Sequence, residues 1–148
     1  MDLLDHTTSE AMVLSVSLDT IRLSLHVLAA TIWVGGQLTL GALVPVLRGI
    51  DGVTTAAARR FNQVAWPAFG VLVATGVWNI LAVHGQTSAY KTTLNVKMTL
   101  VLLSGVSAYL HTRATSKKSM AIWGALSGLT AVATLFVGIM LGDAPATS

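Results

Sequence analysis

Four long runs of apolar residues constrain this chain more than any other feature. They lie at about 18–47, 63–84, 92–112 and 120–142, and permanent charges are nearly confined to their margins. From Leu23 to Leu47 the only titratable side chain is His26, the third run carries one lysine, Lys97, and the fourth carries no charge. Each run is long enough to cross a hydrocarbon layer of about 30 Å. A spanning segment in lipid must satisfy its own backbone hydrogen bonds, so each run is predicted to be an α-helix. The second is expected to open near Trp66-Pro67, since indoles favour the membrane interface and proline is tolerated in the first turn of a helix. The predicted fold is therefore all-α, an integral membrane four-helix bundle. Composition agrees, because a water-soluble core could not hide a chain that is 53% hydrophobic and only 10% charged.

The charges set the expected orientation. With four spans, the connections after the first and third helices share one side, and they and their flanks hold Arg48, Arg59, Arg60, Arg113, Lys117 and Lys118 against Asp51. The opposite side holds Arg22, Lys91 and Lys97 against Asp2, Asp5, Glu10, Asp19 and Asp143. By the positive-inside rule the first side is cytoplasmic, which puts the N-terminus and C-terminus outside and predicts a multi-pass protein of the cell membrane. Residues 1–17 lack the basic n-region of a secretory signal peptide, so they are expected to be retained. Their mix of apolar and polar types suits a helix lying in the interface, and 144–148 reads as a frayed tail. The net charge of +3 is explained by this topology and not by nucleic-acid binding, because the basic residues sit between apolar runs instead of on one amphipathic face. The chain has no cysteine, which excludes disulfides, thiolate metal sites and covalent haem attachment. No catalytic triad, paired carboxylates, phosphate loop or zinc signature is present.

Polar side chains inside a membrane are expensive, so their positions carry the functional signal. On the first helix His26, Ala30, Trp33 and Gln37 follow a 4-3-4 spacing that places them on one face, with Gly36 alongside. A histidine beside small residues and an indole leaves room for a flat group, although a histidine bonded to a neighbouring helix would show the same pattern. On the third helix Lys97, Val101, Ser104, Ala108 and His111 form a narrow stripe predicted to face the interior. Lys97 falls near the depth of His26, where it either serves a site or snorkels to the outer headgroups. His111 falls at the cytoplasmic boundary and is expected to be exposed there. Thr75, Gly76 and Asn79 share a face of the second helix, with Asn79 expected to bond across helices. His84 ends that helix in the outer half. The fourth helix aligns Gly124, Gly128, Ala131, Leu135, Gly138 and Gly142 on one stripe. Such a face admits a close helix, in a homodimer or within the chain.

The segment Leu25-His26-Val27-Leu28-Ala29-Ala30-Thr31-Ile32-Trp33-Val34-Gly35-Gly36 resembles the opening helix of the CopD copper-resistance family. Leu94-Asn95-Val96-Lys97-Met98-Thr99-Leu100-Val101-Leu102 is similar to the lysine-bearing helix of CopD proteins and of the related HemJ-type protoporphyrinogen oxidases. The resemblance covers the first three helices. It implies haem b held with the help of His26 and Lys97, as in HemJ-type proteins, or copper passage, as in CopD proteins. This chain has Asn95 where the HemJ-type pattern has a histidine, and Pro45 and Arg48 are not adjacent as that pattern requires.

Three functions follow as expectations. The first is a b-type haem protein for electron transfer or oxidoreductase chemistry near the outer face, with His26 and His84 as metal ligands, Lys97 at a propionate, and Trp33 and Gly36 beside the cofactor. His111 is a less favoured ligand. The second is copper handling through His26, His84 and Met98, in a chain poor in the sulfur ligands that copper(I) prefers. The third is an accessory subunit of a membrane complex, in which Gly124, Gly128, Gly138 and Gly142 form the working surface.

Overall fold

The computed structural model describes residues 17–82 and 87–142. The expected interfacial segment before Ser17, the residue His84 and the tail after Gly142 lie outside the described residues. Among the described residues four helices are long and apolar enough to span a membrane: α1 (Leu18–Leu47), α2 (Val53–Ala82), α3 (Ser88–Arg113) and α4 (Lys117–Gly142). Their 26 to 30 residues correspond to about 39–45 Å of helix. Side-chain oxygens cap three of the N-termini: Ser17 accepts from Thr20 N–H, Thr87 from Tyr90 N–H and Ser116 from Ser119 N–H. Gly52, at φ 77°, turns the chain from α1 into α2, a conformation only glycine adopts without strain.

Two helices depart from expectation. α2 begins at Val53, ten residues before the predicted start at 63, and runs unbroken through Pro67. The added turns carry exposed Arg59 and Arg60, whose hydration lets the helix extend past the apolar run, and Arg60 Nη1 donates to Gln63 Oε1 at 3.0 Å. Pro67 is exposed, so its ring points away from the core while the carbonyl of Gln63 forgoes its i+4 donor. α1 contains a π-helical turn at Thr31–Gly35. That turn accommodates one extra residue, so the face read off an ideal helix rotates between His26 and Gln37. His26 bonds to α2, whereas Gln37 bonds to α4.

The bundle is packed by small residues, as expected where lipid offers no hydrophobic drive between helices. Ala29, Ala65, Ala68, Ala131, Ser104, Ser107, Ser127, Thr75 and Thr130 are buried, while large residues such as Leu129, Leu102 and Phe136 are 65–70% exposed. Acyl chains cover such a surface. Trp33 is the one large hydrophobic side chain among the buried residues. Its ring lies 4.4 Å from Phe69 and 5.7 Å from Trp66, centroid to centroid, and its Nε1–H donates to Ser104 Oγ at 3.1 Å. Ser104 Oγ in turn donates to Ser127 O at 3.2 Å, joining α1, α3 and α4 in mid-bundle. Two glycines make this seam possible. A Cβ on Gly36 would overlap the Phe61 ring, and one on Gly105 would lie 2.7 Å from Phe69 Cζ.

Candidate functional site

By connectivity, the end predicted to be outer gathers the start of α1, the end of α2, the start of α3 and the end of α4. There His26 is half-buried, and its Nδ1 lies 2.8 Å from Thr75 Oγ1. The Thr75 hydroxyl is also 2.7 Å from Val71 O, the back-bond a helical threonine makes to the preceding turn. A carbonyl only accepts, so the single hydroxyl proton goes to Val71 and the histidine Nδ1–H donates to Thr75. The proton on Nδ1 leaves Nε2 of the neutral ring as a free lone pair. Gly76 lies beside the imidazole, where a Cβ would stand 3.5 Å from His26 Cε1, in ordinary van der Waals contact.

Three further polar groups collect toward the same end. Lys97 is half-buried with its Nζ against Gly138 of α4, where a Cβ would be 3.3 Å away, so it points into the bundle. Arg22, one turn before His26 on the same face, is 9% exposed. Its Nη2 pairs with Asp19 at 3.1 Å, while its Nε is buried without a hydrogen-bond partner. Asn79 Oδ1 is buried and likewise unpartnered among the described residues, so the cross-helix bond expected of Asn79 does not form through that atom. Unsatisfied polar atoms at membrane depth are costly. Two of the three such side-chain atoms among the described residues lie at this end, which suits it to a polar ligand.

The structure thus brings His26 and Lys97 toward one end of the bundle. Trp33 and Gly36 belong to the mid-bundle seam, two to three turns inward, where the indole N–H is engaged and the space over Gly36 is filled by Phe61. Arg22 and Thr75 complete the outer group. Thr75 was legible as a polar residue at mid-membrane, and Arg22 as the i−4 neighbour of His26, yet neither spacing revealed the bond or the burial.

The inner end differs from expectation. His111 is half-buried instead of exposed: its Nδ1 lies 2.7 Å from Met120 O and its ring rests against Gly124. Beside it a cavity of about 220 Å³ opens among all four helices, lined by residues that include Trp33, Gln37, Phe61, Asn62, Trp66 and His111. The stripe of α4 is partly occupied within the chain, Gly124 by His111 and Gly138 by Lys97, whereas Gly128 and Gly142 meet nothing within 4 Å. Among the described residues no three of His, Cys, Asp and Glu come together in a way that could hold a metal ion. No protein family, curated protein or solved structure matches the chain.

Proposed function

We propose that this is a b-type haem protein of the cell membrane, in which His26 would hold the iron near the outer face. The observation that carries the reading is the hydrogen bond from His26 Nδ1–H to Thr75, which fixes the ring and leaves Nε2 free to ligate. Such outer partners orient metal-binding histidines and raise their basicity. The residues fit the group in two further ways. The backbone of α2 does not crowd the imidazole, since even a Cβ on Gly76 would stand 3.5 Å from His26 Cε1. Arg22 Nε and the Lys97 ammonium, both cationic groups, are suited to the two propionates. A porphyrin brings four nitrogen donors of its own, so one or two protein ligands suffice, whereas a bare copper ion would find no cluster of three His, Cys, Asp or Glu among the described residues. His84 remains the proposed second protein ligand.

Haem b supplies reversible one-electron chemistry when bound. The protein's part would be to hold the group through His26, to keep that histidine in a single tautomer through Thr75, and to offer Arg22 and Lys97 to its carboxylates. The expected activity is electron transfer or oxidation of a reductant reached from the outer side. The test is an absorption spectrum of detergent-purified protein made under haem-sufficient conditions, oxidised and dithionite-reduced. A Soret band with sharp reduced α and β bands, lost in His26→Ala, supports the reading. A native protein with no Soret band overturns it, and its copper content then becomes the next measurement.

A further inference from the structure

The cavity at the inner end is not used by the outer site and differs from it in chemistry. Its walls are the aromatic rings of Trp33, Trp66 and Phe61 with small residues between them, and no residue of permanent charge lines it. At about 220 Å³ it is smaller than the roughly 300–1,000 Å³ typical of drug-sized ligands, so it suits a single substituted ring and not a macrocycle.

Two lining side chains leave one polar atom each to spend. The Gln37 amide is held at one end by Ser127, whose Oγ donates to Oε1 at 2.9 Å, and its Nε2 is buried with no hydrogen-bond partner among the described residues. His111 Nδ1 faces a main-chain carbonyl, which only accepts, so the proton of the neutral ring sits on Nδ1 and Nε2 is a lone-pair acceptor. One buried donor and one acceptor, in an uncharged aromatic cavity at membrane depth, select a neutral lipid-soluble molecule whose ring carries oxygen at more than one edge. We propose that this cavity binds the ring of a quinol, one hydroxyl donating to His111 Nε2 and another oxygen accepting from Gln37 Nε2. The oxidised quinone can accept from Gln37 and has no hydroxyl to give to His111, so the reduced form binds more tightly. This inference does not depend on haem at His26.

The test is isothermal titration calorimetry of the purified full chain in detergent with a decyl-chain benzoquinol, its quinone, and decanol as the tail-only control. Gln37→Leu keeps the volume and removes the amide. His111→Asn places an amide N–H where Nδ1 was, keeping the bond to Met120 while deleting Nε2. The native chain is expected to bind the quinol, with each variant weakening it by about fivefold, the value of one net hydrogen bond near 1 kcal/mol. His26→Ala is expected to bind it as the native chain does, which separates this site from the haem reading. Ala58→Phe, which fills the cavity from α2, should abolish binding. Equal binding of decanol and the quinol, or native affinity in both Gln37→Leu and His111→Asn, overturns the proposal.

Discussion

At the outer end His26 gives its Nδ1 proton to a hydroxyl on a neighbouring helix, whereas at the inner end His111 gives its own to a main-chain carbonyl at the start of the next helix. The first bond joins α1 to α2 across 49 positions of sequence, and the second closes the turn between α3 and α4 across nine. Their surroundings diverge in the same way. The outer histidine shares its end of the bundle with Arg22 and Lys97, and buried polar atoms of Arg22 and Asn79 lack partners among the described residues. The inner one faces aromatic rings and neutral amides. One histidine is thus placed among cations, where an anionic group is welcome, and the other in an uncharged cavity. A single residue type supports two chemistries because what surrounds it differs.

The widest effect is expected where both ends depend on the same packing. Gly36→Val would drive a branched side chain into the Phe61 ring, which packs against the core cluster of Trp33, Ala65 and Ala131. Overpacking of this kind costs about 1–3 kcal/mol, and the upper end is expected because an aromatic ring in a crowded seam has little room to yield. Thermal unfolding in detergent should show the loss, and haem and quinol binding should fall together. If one end keeps its ligand while the other loses it, the two sites do not share the seam as a common support.

Next in size is a change confined to the outer end. Thr75→Val keeps the shape and removes the acceptor of His26 Nδ1–H. Loss of such a supporting partner typically weakens metal binding by about 10- to 100-fold, and haem retention in a dissociation assay is expected to fall by about 10-fold. Quinol affinity at the inner end should not change. Retention equal to the native protein would show that Thr75 does not orient the ligand.

How much of this could be read from the sequence depends on which residues one asks about. The four spans follow from apolar run length, because lipid leaves the backbone no alternative to a helix. The α3 stripe of Lys97, Val101, Ser104 and Ala108 also faces inward as its spacing predicts, since that helix is regular throughout. The same reasoning falls short on α1, where the π-helical turn at Thr31–Gly35 sends His26 and Gln37 to different neighbours. No periodicity count contains that turn. The start of α2 was misplaced for another reason: Pro67 resembles a helix opening, and only its outward position lets it sit in the interior of a helix. The inner cavity was illegible because it is formed by what four helices leave unfilled.

A smaller effect is expected between the two ends. Ser127→Ala removes the hydroxyl that donates to Gln37 Oε1 and approaches Ser104 O at 3.2 Å. Hydrogen bonds between membrane helices average about 0.6 kcal/mol and reach about 1.7, so a loss near 1 kcal/mol is expected in detergent unfolding. Release of the Gln37 amide from Ser127 should also weaken the quinol, since the donor is no longer aimed. An unchanged affinity would mean that Gln37 needs no positioning by α4.

The smallest effects distinguish the ends most directly, because the same substitution is made on the same helix. A Cβ on Gly124 would lie 3.0 Å from His111 Nδ1, and one on Gly138 would lie 3.3 Å from Lys97 Nζ. Alanine in a helix interior gains up to about 1 kcal/mol over glycine. At Gly138 the neighbour is the far end of a flexible lysine, which can swing aside, so Gly138→Ala should be neutral or slightly stabilising in thermal unfolding. At Gly124 the neighbour is a ring tied by its Nδ1 to Met120, so the added methyl must displace a held group. Gly124→Ala should therefore be destabilising by about 1 kcal/mol after the propensity gain, in the range of mild overpacking. Equal responses would mean that the inner histidine is as free to move as the outer lysine, and that the Met120 bond does not fix the cavity wall.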